Sequence, residues 1–139
     1  MIRLIEPHEH QLFTRDPVRP HIEPAFRVAK PNQTFVHTYN GKSVDAIICV
    51  AYNDQVPTNE DELRITGNTV ATFYTVWSYT KGAGTEIILR VKEHIEQNNS
   101  DIKRFVTLSP CTEMATSFHL KNGATLLNKY KEFQNFEYK

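Results

Sequence analysis

The sequence has little of what marks several specialised classes of protein. Its 139 residues include only two cysteines, Cys49 and Cys111, which lie far apart and form no pair with the spacing of zinc ligands. Lysine plus arginine number 16, as do aspartate plus glutamate, so the basic excess of a dedicated nucleic-acid binder is missing. We therefore expect no metal site and no nucleic-acid partner, and we favour two reduced thiols over a disulfide.

Long apolar runs are also missing. No segment approaches the roughly 20 apolar residues of a membrane-spanning helix, and residues 1–7 become polar too quickly for a signal peptide. We therefore expect a cytoplasmic protein with no membrane partner. The length is typical of one domain, so residues 1–139 are predicted to form a single domain.

The most informative segment is a glycine-bearing turn at residues 79–85. It follows a β-branched and aromatic run at 69–77 and precedes an amphipathic run at 86–97. A strand, a turn and a helix in this order can hold an anion, because the free N–H groups of the first helical turn and the helix dipole both favour negative charge. Gly82 and Gly84 would let the backbone approach a phosphate without a Cβ in the way. A simple tight turn is the alternative.

The rest of the chain alternates between strand and helix patterns. Strands are predicted at 1–5, 34–39, 43–52, 69–79, 104–108, 124–130 and 132–138, and helices at 85–97 and 112–120. Prolines divide residues 17–28 into short helical turns. This order predicts an α/β (α+β) fold with a mixed central sheet of about six to seven strands flanked by helices.

Two motifs in this order resemble those of the GCN5-related N-acetyltransferase (GNAT) superfamily. The family's turn, Arg/Gln-x-x-Gly-x-Gly/Ala, falls on residues 79–84, where Gly82 and Gly84 match and Tyr79 replaces Arg or Gln. The second motif, Asn-x-x-Ala-x-x-x-Tyr-x-x-x-Gly-Phe, falls on residues 112–124, where Ala115 and Gly123 match. The resemblance covers most of the chain and implies the acyl-CoA N-acyltransferase fold.

The second motif also departs from the family at three positions. Thr112 replaces Asn, His119 replaces Tyr, and Ala124 replaces Phe. Because that Tyr usually protonates the departing thiolate, the resemblance implies His119 as the candidate acid; the alternative is a buried helix histidine with a satisfied ring nitrogen. Many members carry a glutamate base on the central strand, whereas residues 69–79 contain no carboxylate. The charged run at 60–62 is interpreted as a solvated face.

The resemblance further implies acetyl-CoA as cosubstrate, no metal, and a primary amine on a small molecule or peptide as acceptor. Strand backbone would hold the pantetheine arm and the turn would hold the pyrophosphate. The implied cofactor-binding residues are Val76, Trp77, Tyr79, Thr80, Lys81, Gly82, Ala83, Gly84 and Thr85. The oligomeric state stays open, with a homodimer as one option.

A fainter resemblance links the chain to degenerate acetyltransferase-like proteins of tailed phages, some of which lie inside the virion. It implies a second hypothesis, a non-catalytic GNAT-like binding or virion protein. Other reactive side chains receive ordinary interpretations: His8 and His10 as surface histidines, and Cys111 as a structural thiol.

Overall fold

The computed structural model describes residues 1–139 and contains one mixed sheet. Its strands are Ile2–Leu4 (β1), Gln33–His37 (β2), Ala46–Asn53 (β3), Val70–Ser78 (β4), Arg104–Thr107 (β5), Ser109–Pro110 (β6), Thr125–Lys129 (β7) and Phe133–Tyr138 (β8). The α-helices are Pro24–Val28 (α1), Ala83–Asn98 (α2) and Glu113–Lys121 (α3), and 3₁₀ helices cover Pro7–Arg15 and Asp61–Arg64.

The sheet order is β1-β2-β3-β4-β5-β8-β6, and β7 pairs with β8. Only β4 and β5 are parallel, and α2 connects them, as a parallel pair requires. The predicted mixed α/β sheet is confirmed. The structure has one strand more than predicted, because Ser109 and Pro110 form a short additional pairing with β8 where the sequence pattern ended a strand.

The core consists of two apolar clusters that involve alternate residues of the strands. One cluster joins α2 to the sheet through Ile87, Ile88 and Val91. The other includes Phe13 from the first 3₁₀ helix and Leu63 from the second. Helical segments therefore cover both faces, and all eight residues of β3 are buried between them, as its continuous apolar run predicts.

The parallel strands β4 and β5 separate part-way along their length. Their last paired residues are Phe73 and Thr107, and the Leu108 N–H then donates to the Phe73 carbonyl at 3.3 Å. From Tyr74 to the end of β4, only β3 pairs with this strand. Cys49 on β3 pairs with Thr75, and the next residue, Val50, pairs with Phe73, so Tyr74 has no partner on β3. This bulge and separation open a gap in the sheet.

None of the three α-helices combines the length and apolar character that crossing a bilayer requires.

Candidate functional site

The turn between β4 and α2 is built around a left-handed glycine. Gly82 is the N-cap of α2 with φ of 85°, a conformation that glycine adopts without the steric cost of a side chain. The helix begins at Ala83, two residues before the predicted start. No atom lies within 4 Å of a Cβ built on Gly82, so the backbone conformation selects glycine here, and open space adjoins it.

The same turn leaves a set of backbone donors without a partner. The Ala83 N–H donates to the Thr80 carbonyl at 3.0 Å, which closes the turn. Five neighbouring N–H groups donate to no protein acceptor: those of Thr80, Lys81, Gly82, Gly84 and Thr85. Together with the dipole of the 16-residue helix α2, these donors form a site suited to an anion.

Asp45 anchors this turn to the rest of the sheet. Its carbonyl accepts from the Tyr79 N–H at 2.8 Å, and its carboxylate accepts from the Thr80 hydroxyl at 2.5 Å. The hydrogen bond from Thr80 is the main reason that the pKa of Asp45 lies below its ordinary value. Tyr79, which stands where the family has Arg or Gln, uses its hydroxyl to accept from the Trp77 indole N–H at 3.0 Å. The turn is therefore fixed in place before any ligand arrives.

Gly84 and Thr85 connect the turn to α3. A Cβ on Gly84 would lie 3.3 Å from the Phe118 ring and 3.7 Å from the Ser78 hydroxyl. The missing side chain thus permits close packing of α2 against α3, and the predicted approach of a phosphate to the Gly84 backbone stays a prediction. The Thr85 hydroxyl donates to the Asn122 side chain at 2.8 Å, so the backbone N–H is the donor that Thr85 leaves free.

Val76 and Trp77 lie on β4 beside the gap between the strands. Val76 is half-buried and packs against the α2 cluster, whereas the Trp77 ring belongs to the cluster on the opposite face. Because β5 no longer pairs with this part of β4, the strand borders the gap with its own backbone. A ligand whose phosphates lay at the turn would reach these two residues next.

His119 is buried in the core, with 5% of its surface exposed. Its Nδ1 lies 2.7 Å from the Tyr138 hydroxyl, and its ring stacks on Phe136. Burial lowers the pKa of His119 to about 4, so the imidazole is neutral at pH 7. This geometry favours the packing interpretation over the role of candidate acid.

The sequence interpretation missed Arg19, which lies at the separation of the strands. Its guanidinium is 1% exposed, donates to the Tyr74 carbonyl on β4, and donates to the carbonyl of Leu108, which follows β5, at 2.9 Å. Its backbone carbonyl accepts from Arg27 at 2.6 Å. No local sequence pattern indicated this role, because Arg19 simply lies between Val18 and Pro20 in a segment of short turns.

Arg27 forms a fully buried ion pair with Asp16 at 2.8 Å. Asp16 also accepts from the backbone N–H groups of Val18 and Arg19. The buried pair therefore fixes the loop that carries Arg19.

Glu60 was interpreted as part of a solvated run, but the structure places it against Arg19. Its Oε2 accepts from the Arg19 Nε at 3.0 Å, and its Oε1 lies 2.6 Å from the His21 Nε2. The Glu60 side chain is 28% exposed and that of His21 is 61% exposed. His21, Glu60 and Arg19 thus contact one another in a row, with His21 exposed to solvent and Arg19 at the gap between β4 and β5.

A second polar cluster lies near the N-terminus, where ligand atoms of Glu6, His8 and Glu9 fall within 4.8 Å of one another. Arg3 already holds both carboxylate oxygens of Glu9, at 2.8 and 2.9 Å. This ion pair lowers the pKa of Glu9 to about 2 and accounts for the cluster without a metal ion.

The sequence matches no family model and no curated protein, whereas solved structures resemble the fold clearly. A variant of the spermidine N-acetyltransferase SpeG from Vibrio cholerae superposes with a TM-score of 0.68 at 9% identity, over 99% of this chain and 92% of that one. A Bacillus subtilis acetyltransferase in complex with CoA gives a TM-score of 0.66 at 9% identity, over 98% and 93%. The chain has the GNAT fold.

A malonyl-CoA decarboxylase from Agrobacterium vitis shares this GNAT fold with a TM-score of 0.68 and 19% identity. The match covers 85% of this chain but only 35% of the decarboxylase, so the chain spans about a third of that protein's length. At these identities the likeness concerns the fold. Within that GNAT fold, the free N–H groups of the turn and the gap between β4 and β5 form one continuous candidate site.

Proposed function

We propose that this chain is a GNAT-type N-acetyltransferase that transfers an acetyl group from acetyl-CoA to a primary amine. The observation that carries the proposal is the turn at residues 79–85, where five N–H groups at the start of α2 have no protein acceptor and open space adjoins Gly82. Backbone N–H groups at the N-terminus of a helix are the donors that phosphate oxygens accept from in many proteins. The Bacillus subtilis acetyltransferase of the same fold was crystallised with CoA, which supports this choice of anion.

The residues proposed to hold the coenzyme fall into two groups. The N–H groups of the turn would bind the pyrophosphate, with Lys81, which is exposed beside them, supplying positive charge. The backbone of Val76 and Trp77 would run beside the pantetheine arm in the gap. The acetyl carbon would then lie where β4 and β5 separate, and catalysis would come mainly from orientation of the thioester and the amine.

The acceptor side of the site would be formed by the opposite face of the sheet. The segment from His8 to Lys30 lies there with the loop from Asn53 to Gly67 and the start of β8. The proposal includes a small-molecule or peptide amine as acceptor and a cytoplasmic location. A homodimer remains part of the proposal without a defined interface.

A steady-state assay tests this function. The protein is incubated with acetyl-CoA and, separately, spermidine, tyramine or a lysine-containing peptide, and the released coenzyme A thiol is measured. We expect thiol release that depends on at least one amine and is lost in Gly82→Asp. Release that no amine raises above the rate without amine would contradict the proposal.

A second candidate is a non-catalytic protein that keeps the GNAT fold. It is favoured by the burial of His119, by the absence of a carboxylate on β4, and by Arg19, which occupies the Tyr74 carbonyl at the gap. This candidate predicts that no amine raises thiol release in the same assay, whether or not the protein binds coenzyme A. The phage-like interpretation belongs to this second candidate.

A further inference from the structure

The loop between β2 and β3 carries an asparagine that is followed by a glycine. Asn40 and Gly41 are both exposed to solvent. The chain contains one other such pair, Asn122 and Gly123, at the end of α3. Asparagine is a chemically labile residue, and a following glycine places no Cβ beside the backbone nitrogen that can attack the side-chain amide. The two pairs therefore have the same residue types in different surroundings.

The backbone nitrogen of Gly41 is free to react. Its N–H group donates to no protein acceptor, whereas the neighbouring N–H groups of Lys42 and Ser43 both donate to the side chain of Asn40. The Gly41 nitrogen can therefore lose its proton to solvent without the loss of a hydrogen bond. Asn40 uses only its Oδ1 atom in hydrogen bonds, so its NH₂ group is free to leave.

Two donors hold the side-chain carbonyl of Asn40. Its Oδ1 accepts from the Lys42 N–H at 2.8 Å and from the Ser43 N–H at 2.9 Å. An attack on this carbonyl carbon moves negative charge onto Oδ1, and N–H groups that already point at the oxygen stabilise that charge. The loop thus combines stabilisation of an oxyanion with an adjacent free nitrogen.

The second pair has neither of these freedoms. The Gly123 N–H donates to the Leu120 carbonyl at 3.1 Å, so an attack by its nitrogen requires that this bond at the end of α3 breaks. The Asn122 Oδ1 accepts from the Thr85 hydroxyl at 2.8 Å, and the Asn122 Nδ2 atom is buried. A buried amide is poorly placed to leave as ammonia into solvent. The fold therefore protects Asn122.

We propose that Asn40 is a site of spontaneous modification, at which the side-chain amide becomes a carboxylate through a succinimide. The Gly41 nitrogen attacks Asn40 Cγ, so that a C–N bond forms, the Cγ–Nδ2 bond breaks, and ammonia leaves with the proton of the Gly41 nitrogen. Water then opens the ring at either of its two carbonyls, which gives aspartate or isoaspartate at position 40. Water is the only co-reactant, and the conversion is independent of acetyl transfer.

The modified loop is linked to the turn at residues 79–85 through Asp45. The Tyr39 N–H donates to Asp45 Oδ2 at 2.8 Å, and the Asp45 carboxylate accepts from the Thr80 hydroxyl at 2.5 Å. The isoaspartyl product lengthens the main chain by one carbon directly after Tyr39. We expect this change to displace the Tyr39 N–H from Asp45 and to alter the contact of Asp45 with Thr80.

Peptide mapping by mass spectrometry tests the proposal. The full chain is kept in mildly alkaline buffer, where the attacking nitrogen loses its proton more readily, and samples are digested and fragmented over time. We expect the peptide that contains Asn40 to gain the mass that replacement of NH₂ by OH brings, and to separate into two products in chromatography. Conversion at Asn122 in the same samples is expected to be about tenfold slower or more, because two hydrogen bonds protect it.

Two controls separate the effect of the fold from that of local sequence. In urea both pairs lose their hydrogen bonds, so Asn40 and Asn122 are expected to convert at nearly equal rates. Asn40→Gln lengthens the side chain, so that its amide would have to close a larger ring, and the peptide is expected to keep its mass. This variant is expected to fold, since residue 40 is exposed.

Equal rates of conversion at Asn40 and Asn122 in the folded protein would overturn the proposal, as would an Asn40 peptide that keeps its mass. NMR spectra of the converted protein test the link to the turn. We expect the amide signals of Tyr39 and Thr80 to differ from those of fresh protein, and that of Gly123 to stay unchanged. Unchanged signals of Tyr39 and Thr80 would contradict the link. Because these measurements involve no coenzyme A, their failure leaves acetyl transfer standing.

Discussion

At the scale of single residues, the surroundings of His119 differ from what its place in the family motif implied. His119 occupies the position of the family's usual acid, but it is enclosed by Phe118, Phe136 and Tyr138. His21 belongs to no motif, and its Nε2 lies 2.6 Å from Glu60, which accepts from Arg19 at the gap in the sheet. For His119, burial and not the position in the motif determines whether the ring takes up a proton at neutral pH.

The burial of His119 gives a prediction about pH. Its pKa of about 4 in the folded protein lies below the ordinary 6.5, so the unfolded chain takes up a proton first as the pH falls. Stability is therefore lost between pH 6.5 and pH 4, by about 3 kcal/mol in total. Urea unfolding across this range measures the loss, which His119→Gln should reduce. An imidazole of His119 that titrates near pH 6.5 in NMR spectra of the folded protein would contradict this account.

At the scale of elements, local chemistry predicted the helix ends better than it predicted the site. The second helix was predicted to begin at Thr112, and Thr112 is the N-cap of α3, where its hydroxyl accepts from the Ala115 N–H at 3.2 Å. The strand, turn and helix around Gly82 also followed from short-range pattern. Arg19 could not be predicted in this way, because its partners Tyr74 and Leu108 are 55 and 89 residues away along the chain.

The turn gives a prediction of its own. Gly82→Asp places a negative charge beside the five free N–H groups, so we expect acetyl-CoA to bind about 100-fold more weakly in titration calorimetry, through like-charge repulsion. Gly41→Ala is the control for backbone strain, because Gly41 also has a positive φ, of 77°, and open space around it. We expect Gly41→Ala to keep wild-type affinity. Equal affinity in Gly82→Asp and wild type would show that the turn does not hold the pyrophosphate.

At the scale of the whole molecule, the sheet separates the free backbone N–H groups of the turn from a group of charged side chains. The free N–H groups at the start of α2 lie on one face, and the contacts from His21 through Glu60 to Arg19 lie on the other, with the gap between β4 and β5 connecting them. Alternating apolar residues and the order of elements were enough to predict this mixed sheet. Local sequence pattern does not indicate the gap, because β4 and β5 stop pairing after Phe73 and Thr107, next to the bulge at Tyr74.

The structure also contains an open hollow of about 510 Å³ away from the turn, lined by polar residues around Cys111 and Gln134. A coenzyme that bound there would leave the turn without a role. The central claim is therefore that coenzyme A binds and that its pyrophosphate lies at the turn of residues 79–85.

Amide chemical shifts recorded during a titration with coenzyme A test that claim most directly. We predict saturable changes that are largest at the free N–H groups of Thr80, Lys81, Gly82, Gly84 and Thr85, with further changes along β4 at Val76 and Trp77. No change at millimolar coenzyme A, or changes centred on the hollow around Cys111, would contradict it.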